Sequence, residues 1–309
     1  MRETALTPSH LVAPLFVKEG IDEPDPVASM PGVAQHTVAS LRHEVKELRA
    51  AGVNTVLLFG VPAHKDAEGS QAWNRDGVLQ QSIRALRDDH GDGLVIIADT
   101  CLDEYTSHGH CGPLRDDGSV DNDAANRSYA RAAVSQAEAG VDMVAPSGMM
   151  DGQVRVIRQA LDEAGFAEGT SIMAYCTKYA SALYGPFRDA AECAPEFGDR
   201  TTYQLDPANG DEGVREALAD MAEGADALMV KPAVAYLDLV WRVKQATALP
   251  LAAYHVSGEY AMVHAAAAQG WIDGDRVMAE ALTGIRRAGA DIVITYAAGW
   301  MARRLADGA

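Results

Sequence analysis

Aromatic residues make up only 6% of this 309-residue chain, and it has just four cysteines. So few aromatics, beside 28 glycines and abundant alanine, argue against an aromatic-rich sandwich and for close-packed helices on strands. Cys101, Cys111, Cys176 and Cys193 are too few for a disulfide framework in a chain of this length, and a reducing cytoplasm is the expected compartment. No apolar run approaches the length of a membrane span, and no basic segment followed by an apolar one marks the N-terminus for export. Cations are also scarce. Lysine and arginine total 26 against 44 acids, a net charge of −18. A surface this acidic repels phosphate backbones and excludes nucleic acid as an expected partner.

Short, continuous apolar runs recur along the chain: 12–17, 54–60, 94–100, 143–148, 171–177, 227–232, 251–257 and 292–298. Continuous rather than alternating runs of this length fit strands buried on both faces. Between them, stretches such as 41–51, 122–139, 152–164, 213–223 and 275–288 carry apolar residues at helical spacing and mostly end at glycine. The junctions AAGVNTV, EAGVDMV, EGADALM and RAGADIV repeat one device, a helix-ending glycine followed closely by a strand. Eight such strands, each before the last followed by a helix, predict a (β/α)8 barrel. The competing doubly wound sheet lacks its GxGxxG turn after the first strand. No linker or low-complexity tract divides the chain, so residues 1–309 are expected to form one barrel domain.

In a barrel of this kind chemistry sits at the C-terminal strand ends. Asp99 and Cys101, Ser147, Lys178, Lys231, Tyr254 and Ser257, and Tyr296 fall there. Two lysines at adjacent strand ends are the informative pair, because each ammonium must be paired or desolvated. Placed close together they depress each other's pKa from about 10.4, which suits Schiff-base chemistry on a carbonyl substrate. The alternative for Lys231 alone is a salt-bridged rim lysine. Segment 184–205 follows the fifth strand without a strand pattern and is expected to be a lid. It holds Arg188, Arg200 and Gln204, suited to clamping a carboxylate, or else to pairing with nearby surface acids. The run from Cys101 to Cys111 adds Asp103, His108 and His110, a donor set suited to zinc. Cys176 is expected in the core and Cys193 exposed in the lid.

These residues resemble the porphobilinogen synthase (5-aminolevulinate dehydratase) family. GADALMVKPAVAY (224–236) matches the family's segment around its Schiff-base lysine, and KYASALYGPFRDAA (178–191) resembles its second lysine with the lid arginine. YTSHGHCG, VAPSGMMDG, YQLDPAN, YHVSGEYAM and RAGADIVITY complete a similarity that runs from about Arg2 to the C-terminus. The resemblance implies condensation of two 5-aminolevulinate molecules to porphobilinogen with loss of two waters. Lys231 would bind the propionate-side substrate, with Ser257 and Tyr296 on its carboxylate and Tyr254 beside the imine. Lys178 would bind the acetate-side substrate, with Arg188, Arg200 and Gln204 on that carboxylate, while Asp99 and Ser147 line the pocket.

Three departures from the family pattern stand out. Its zinc-type members have three cysteines where this chain has Cys101, Asp103 and Cys111, a hybrid with the acids of magnesium-type members. Two thiolates still favour zinc. Glu212, in DEGVRE, matches the position of an activating magnesium ligand. Gly148 replaces the family's aspartate, which keeps open a paralogue acting on another amino-ketone; a catalytically dead barrel is the more remote alternative. Finally, about eleven residues precede the first strand, reaching about 40 Å fully extended. A residual arm that short (1–11) predicts a homo-oligomer of dimer size rather than the family's octamer.

Overall fold

The structure is a computed structural model that describes residues 1–308. In chain order it comprises β1 (Leu11–Lys18), β2 (Asp25–Pro26), β3 (Ala34–His36), α1 (Val38–Ala50), β4 (Thr55–Val61), α2 (Val78–His90), β5 (Val95–Thr100), α3 (Asn122–Ala139), β6 (Met143–Pro146) and α4 (Gln153–Glu163). The second half adds β7 (Ser171–Lys178), α5 (Gly185–Ala191), α6 (Gly210–Glu223), β8 (Ala227–Lys231), α7 (Leu237–Thr247), β9 (Leu251–His255), α8 (Ser257–Ala268), α9 (Gly274–Arg287), β10 (Ile292–Thr295) and α10 (Ala298–Ala306). Strands β1 and β4 to β10 pair in parallel in sequence order, and β10 pairs back onto β1. This is the closed (β/α)8 barrel that the eight apolar runs predicted.

The strands close because their side chains are buried on both faces: β1 and β8 are buried almost end to end. Inside the barrel Phe16 stacks on Phe59 at 5.3 Å and on Tyr296 at 6.1 Å between ring centroids. The helix-to-strand junctions work as the repeated glycine implies. Gly140 and Gly224 sit at φ 102° and 106°, where a Cβ is strained, and reverse the chain out of α3 and α6.

Three differences from expectation concern strand ends and the C-terminal rim. The ladder stops at Pro146, His255 and Thr295. Ser147, Ser257 and Tyr296 therefore lie just past their strands, with Ser257 the first residue of α8. The last strand is followed by a helix, α10, like the others. A small hairpin, β2 antiparallel to β3, stands on the rim and pairs with β1 through Phe16 and Gln35. Among the described residues no helix is long and apolar enough to cross a membrane.

Candidate active site

Lys178 ends β7 and Lys231 ends β8, and they are Cα partners in the ladder. Both are buried, each 4% exposed. Register alone thus sets two amines side by side at the mouth of the barrel. Their surroundings differ. The Nζ of Lys231 lies 4.6 Å from the ring centre of Tyr254, 4.9 Å from Phe187, 5.1 Å from Tyr175 and 5.1 Å from Tyr184. Burial in this aromatic box, with Lys178 beside it, lowers the Lys231 pKa to about 7. Lys178 donates to the Ser147 carbonyl at 2.6 Å. Burial opposes its charge, but Cys111, Cys101 and Asp103 facing it hold its pKa above the ordinary value. The expected mutual depression therefore falls on Lys231 alone.

Asp99 accepts from the Ser147 hydroxyl at 3.2 Å, and its other oxygen has no partner. Burial pushes its pKa up to about 6, with Lys178 pulling the other way. Cys101, Asp103 and Cys111 each point a donor atom to within 4.8 Å of the other two. His108 and His110 stand outside this group. His108 lies against the Ala67 carbonyl at 3.2 Å, and His110 is held between Tyr203 and the Phe197 carbonyl, both at 3.1 Å. Asp103 has a second engagement, a buried ion pair with Arg200 at 2.7 Å. Burial disfavours its charge, yet Arg200 and Lys178 hold its carboxyl well below the usual range. Arg200 also donates to the Gly109 and Cys193 carbonyls at 2.8 and 2.6 Å.

The lid segment carries unsatisfied groups, and its Gln204 borders a second cavity shared with Glu212. The Nε atoms of Arg188 and Arg200 and both amide atoms of Gln204 are buried without a partner. Buried polar groups left this way in a folded protein call for an explanation, and a polar ligand supplies one. Tyr254 and Tyr296 share a hydroxyl–hydroxyl hydrogen bond of 3.1 Å. Ser257 accepts from the Phe187 amide at 3.0 Å and donates to the Leu183 carbonyl at 3.3 Å, so its hydroxyl here fastens the lid. Glu212 lies apart, in the first turn of α6, accepting from Asn209 at 2.9 Å. It borders a cavity of about 470 Å³ with Asp151, Asp206 and Glu216, and belongs to neither three-donor group found among the described residues. Cys193 is buried, not exposed as expected: its carbonyl accepts from Arg200, which in turn is anchored to Asp103 and the Gly109 carbonyl of the donor loop.

Several participants were not foreseen. Tyr175 reaches the box because β7 shifts register between Ala174 and Thr177, which turns it to the same side as Lys178. Alternation along the strand would have faced it away. Tyr184 and Phe187 come from the lid, and no spacing marks them. Glu104 is buried beside Asp99 and Cys101, and burial together with Asp103 and Asp99 pushes its pKa well up. Gly148 has a steric reason: a Cβ there would lie 2.1 Å from the Tyr129 hydroxyl, which donates to the Cys111 carbonyl at 2.8 Å. The Tyr129 hydroxyl fills the space an aspartate side chain would need behind the donor loop.

The family described as delta-aminolevulinic acid dehydratase matches residues 1–304. The chain is 54% identical over 305 residues to the Mycobacterium tuberculosis protein of that name, covering 97% of this chain and 92% of that one. It is 52% identical over 309 residues to the Synechococcus elongatus protein, covering 99% and 94%. A crystal structure of the Toxoplasma gondii enzyme, in complex with the reaction product porphobilinogen, superposes with a TM-score of 0.97 at 42% identity. It covers all (100%) of this chain and 88% of that one. The chain belongs to the delta-aminolevulinic acid dehydratase family, hydro-lyases of tetrapyrrole synthesis.

Proposed function

We propose that Lys231 and Lys178 divide the work of condensing two molecules of 5-aminolevulinate to porphobilinogen with loss of two waters. The observation that carries this reading is the in-register lysine pair, one amine depressed to about 7, beside a following segment in which atoms of Arg188 and Gln204 are buried without a partner. Lys231, the more readily unprotonated amine, attacks the ketone carbon of the propionate-side substrate. The carbinolamine expels water and leaves a cationic imine, which the four rings of the box face favourably. Tyr296 and Ser257 hold that substrate's carboxylate, Ser257 exchanging its long bond to Leu183 for it. Lys178 sheds its proton before attacking the second ketone, with Asp99 and Ser147 beside it. Arg188, Arg200 and Gln204 hold the second carboxylate, and closure of segment 184–205 excludes water.

Cys101, Asp103 and Cys111 fit a zinc ion, being two soft donors and one hard donor already gathered. Asp103 has one oxygen on Arg200, so its other oxygen is the one available. Bound there, zinc would supply Lewis-acid polarisation next to the second substrate. Magnesium at Glu212 would act from outside the barrel mouth. Elemental analysis showing no zinc in active protein, with activity surviving chelation, overturns the zinc assignment. We also read the chain as self-associating. Beyond Tyr260, α8 carries His264 as its one polar side chain and exposes Met262, and Trp271 after it is 78% exposed, an arrangement that asks for a covering partner. Light scattering is expected to give two chains, and a mass of one chain rejects association. The four cysteines, all unpaired and buried, support a reducing cytoplasm as the compartment.

The direct test incubates the protein with 5-aminolevulinate, with and without each metal, and follows the pyrrole colorimetrically. Borohydride added with substrate traps a reducible imine on Lys231. Trapping at Lys178 alone, with Lys231 unmodified, reverses the division of roles.

A further inference from the structure

The end of the lid helix is tied to the opposite wall of the barrel mouth, with Glu192 at the centre of the ties. Glu192 follows α5 in the left-handed region, at φ 51°, where a non-glycine residue is disfavoured unless its surroundings hold it. Its carboxylate accepts from Lys18, at the end of β1, at 2.5 Å and from Gln35 of β3 at 3.1 Å. Its carbonyl accepts from Lys65, in the loop after β4, at 2.5 Å. Gln35, itself buried, also donates to the Ala190 carbonyl at 2.7 Å and accepts from Lys18 at 3.2 Å. One turn back, Asp189 accepts from Ser29 in the β2–β3 hairpin at 2.8 Å. The rim hairpin, which contributes nothing to barrel closure, thus receives the lid. Between this tie and the Ser257 hydroxyl on the Phe187 amide lies the turn that presses Phe187 against Lys231.

We propose that Glu192 is the latch of the lid, a positioning residue that fixes the end of α5 to Lys18, Gln35 and Lys65 and so holds Phe187 on Lys231. Its consequence for the substrate rests on the lid role of Arg188 proposed above. Each tie is weak alone, because Glu192 and Lys18 are partly exposed, 42% and 22%. Releasing the latch should therefore change the lid's opening equilibrium about three- to tenfold, as for an exposed ion pair with one hydrogen bond.

Limited proteolysis of the free protein within residues 184–205, and steady-state kinetics with 5-aminolevulinate, test this together. For Glu192→Ala we expect cleavage to quicken about three- to tenfold, KM to rise by a similar factor and kcat to stay within about twofold. Lys18→Glu should match it, and the swap Lys18→Glu with Glu192→Lys should restore slow cleavage. Glu192→Gly separates a latch from a mere helix end. Glycine suits this backbone conformation, so a residue acting only as a cap would give slower cleavage, and that result overturns the proposal. Unchanged cleavage in Glu192→Ala overturns it as well. Faster cleavage with unchanged KM upholds the latch and refutes the substrate-holding role of the lid.

Discussion

Lys231 and Lys178 are the same side chain at paired positions on neighbouring strands, yet one faces rings and the other faces charges. On the Lys231 side burial and the neighbouring Lys178 ammonium outweigh the pull of Asp99, Asp103 and Cys101, and the pKa falls to about 7. On the Lys178 side burial is as complete, but two thiols and a carboxylate outweigh it. Depth in the barrel therefore does not decide the state of a buried amine; what shares that depth does. An enzyme that must treat two identical substrate molecules differently can take its asymmetry from this contrast. The largest effect should come from deleting either amine. Lys231→Ala is expected to lower turnover about a thousandfold or more and to remove the main borohydride-trapped adduct. Lys178→Ala should lose a similar share of turnover while one substrate still traps on Lys231, which mass spectrometry of the reduced adduct resolves.

Stability should separate the two sides in the opposite sense from activity. Asp103→Ala removes one partner of the buried pair with Arg200 and leaves a guanidinium 4% exposed without its carboxylate. Such a loss costs about 3–5 kcal/mol. Lys231→Met places an apolar chain of similar length among four rings and should leave stability unchanged or raise it. Denaturant unfolding of both variants checks the contrast. Equal destabilisation would mean that Lys231 is paired in solution in a way the rings do not show.

The strand ends and the lysine pair were legible in the sequence because strands buried on both faces read as continuous apolar runs. The helix-ending glycines then fixed where each run began. The shift in β7 was not legible, since a bulge that turns Tyr175 inward leaves no mark in composition. Nor was the Arg200–Asp103 pair, which joins the lid to the donor loop across 97 positions of chain and exists only once both are folded. Gly148 was legible as a departure, but its partner Tyr129 lies on α3, away from the loop after β6, and could not be matched to it.

The pH dependence should follow the same contrast with a smaller amplitude. An amine attacks only when unprotonated, so the rate of imine trapping on Lys231 should rise with pH up to about 7 and level off above it. An ordinary lysine would keep gaining toward about 10.4. Stability gives the sign independently. Between about 7 and 10.4 the unfolded chain binds a proton that folded Lys231 does not, so stability rises with pH through that window and is flat in this term below it. Lys231→Met should remove that slope. A trapping rate that climbs without a break past pH 9 would place Lys231 in an environment like that of Lys178.

The smallest expected effect asks which part of the box acts on Lys231. Tyr254 contributes both a ring, 4.6 Å from the amine, and a hydroxyl bonded to Tyr296 at 3.1 Å. Tyr254→Phe keeps the ring and deletes the hydroxyl. The lost bond is worth about 0.5–1.5 kcal/mol, so turnover should fall about two- to tenfold, through Tyr296 and the carboxylate it holds. The break near pH 7 should stay where it is, because the low-dielectric wall around the amine is unchanged. Tyr254→Leu removes the ring as well and opens a void on that wall. Water entering there would restore part of the solvation that burial took away and move the break upward. If instead Tyr254→Phe alone moves the break, the hydroxyl pair sets the amine's protonation, and the contrast between the two lysines is one of hydrogen bonding rather than of rings against charges.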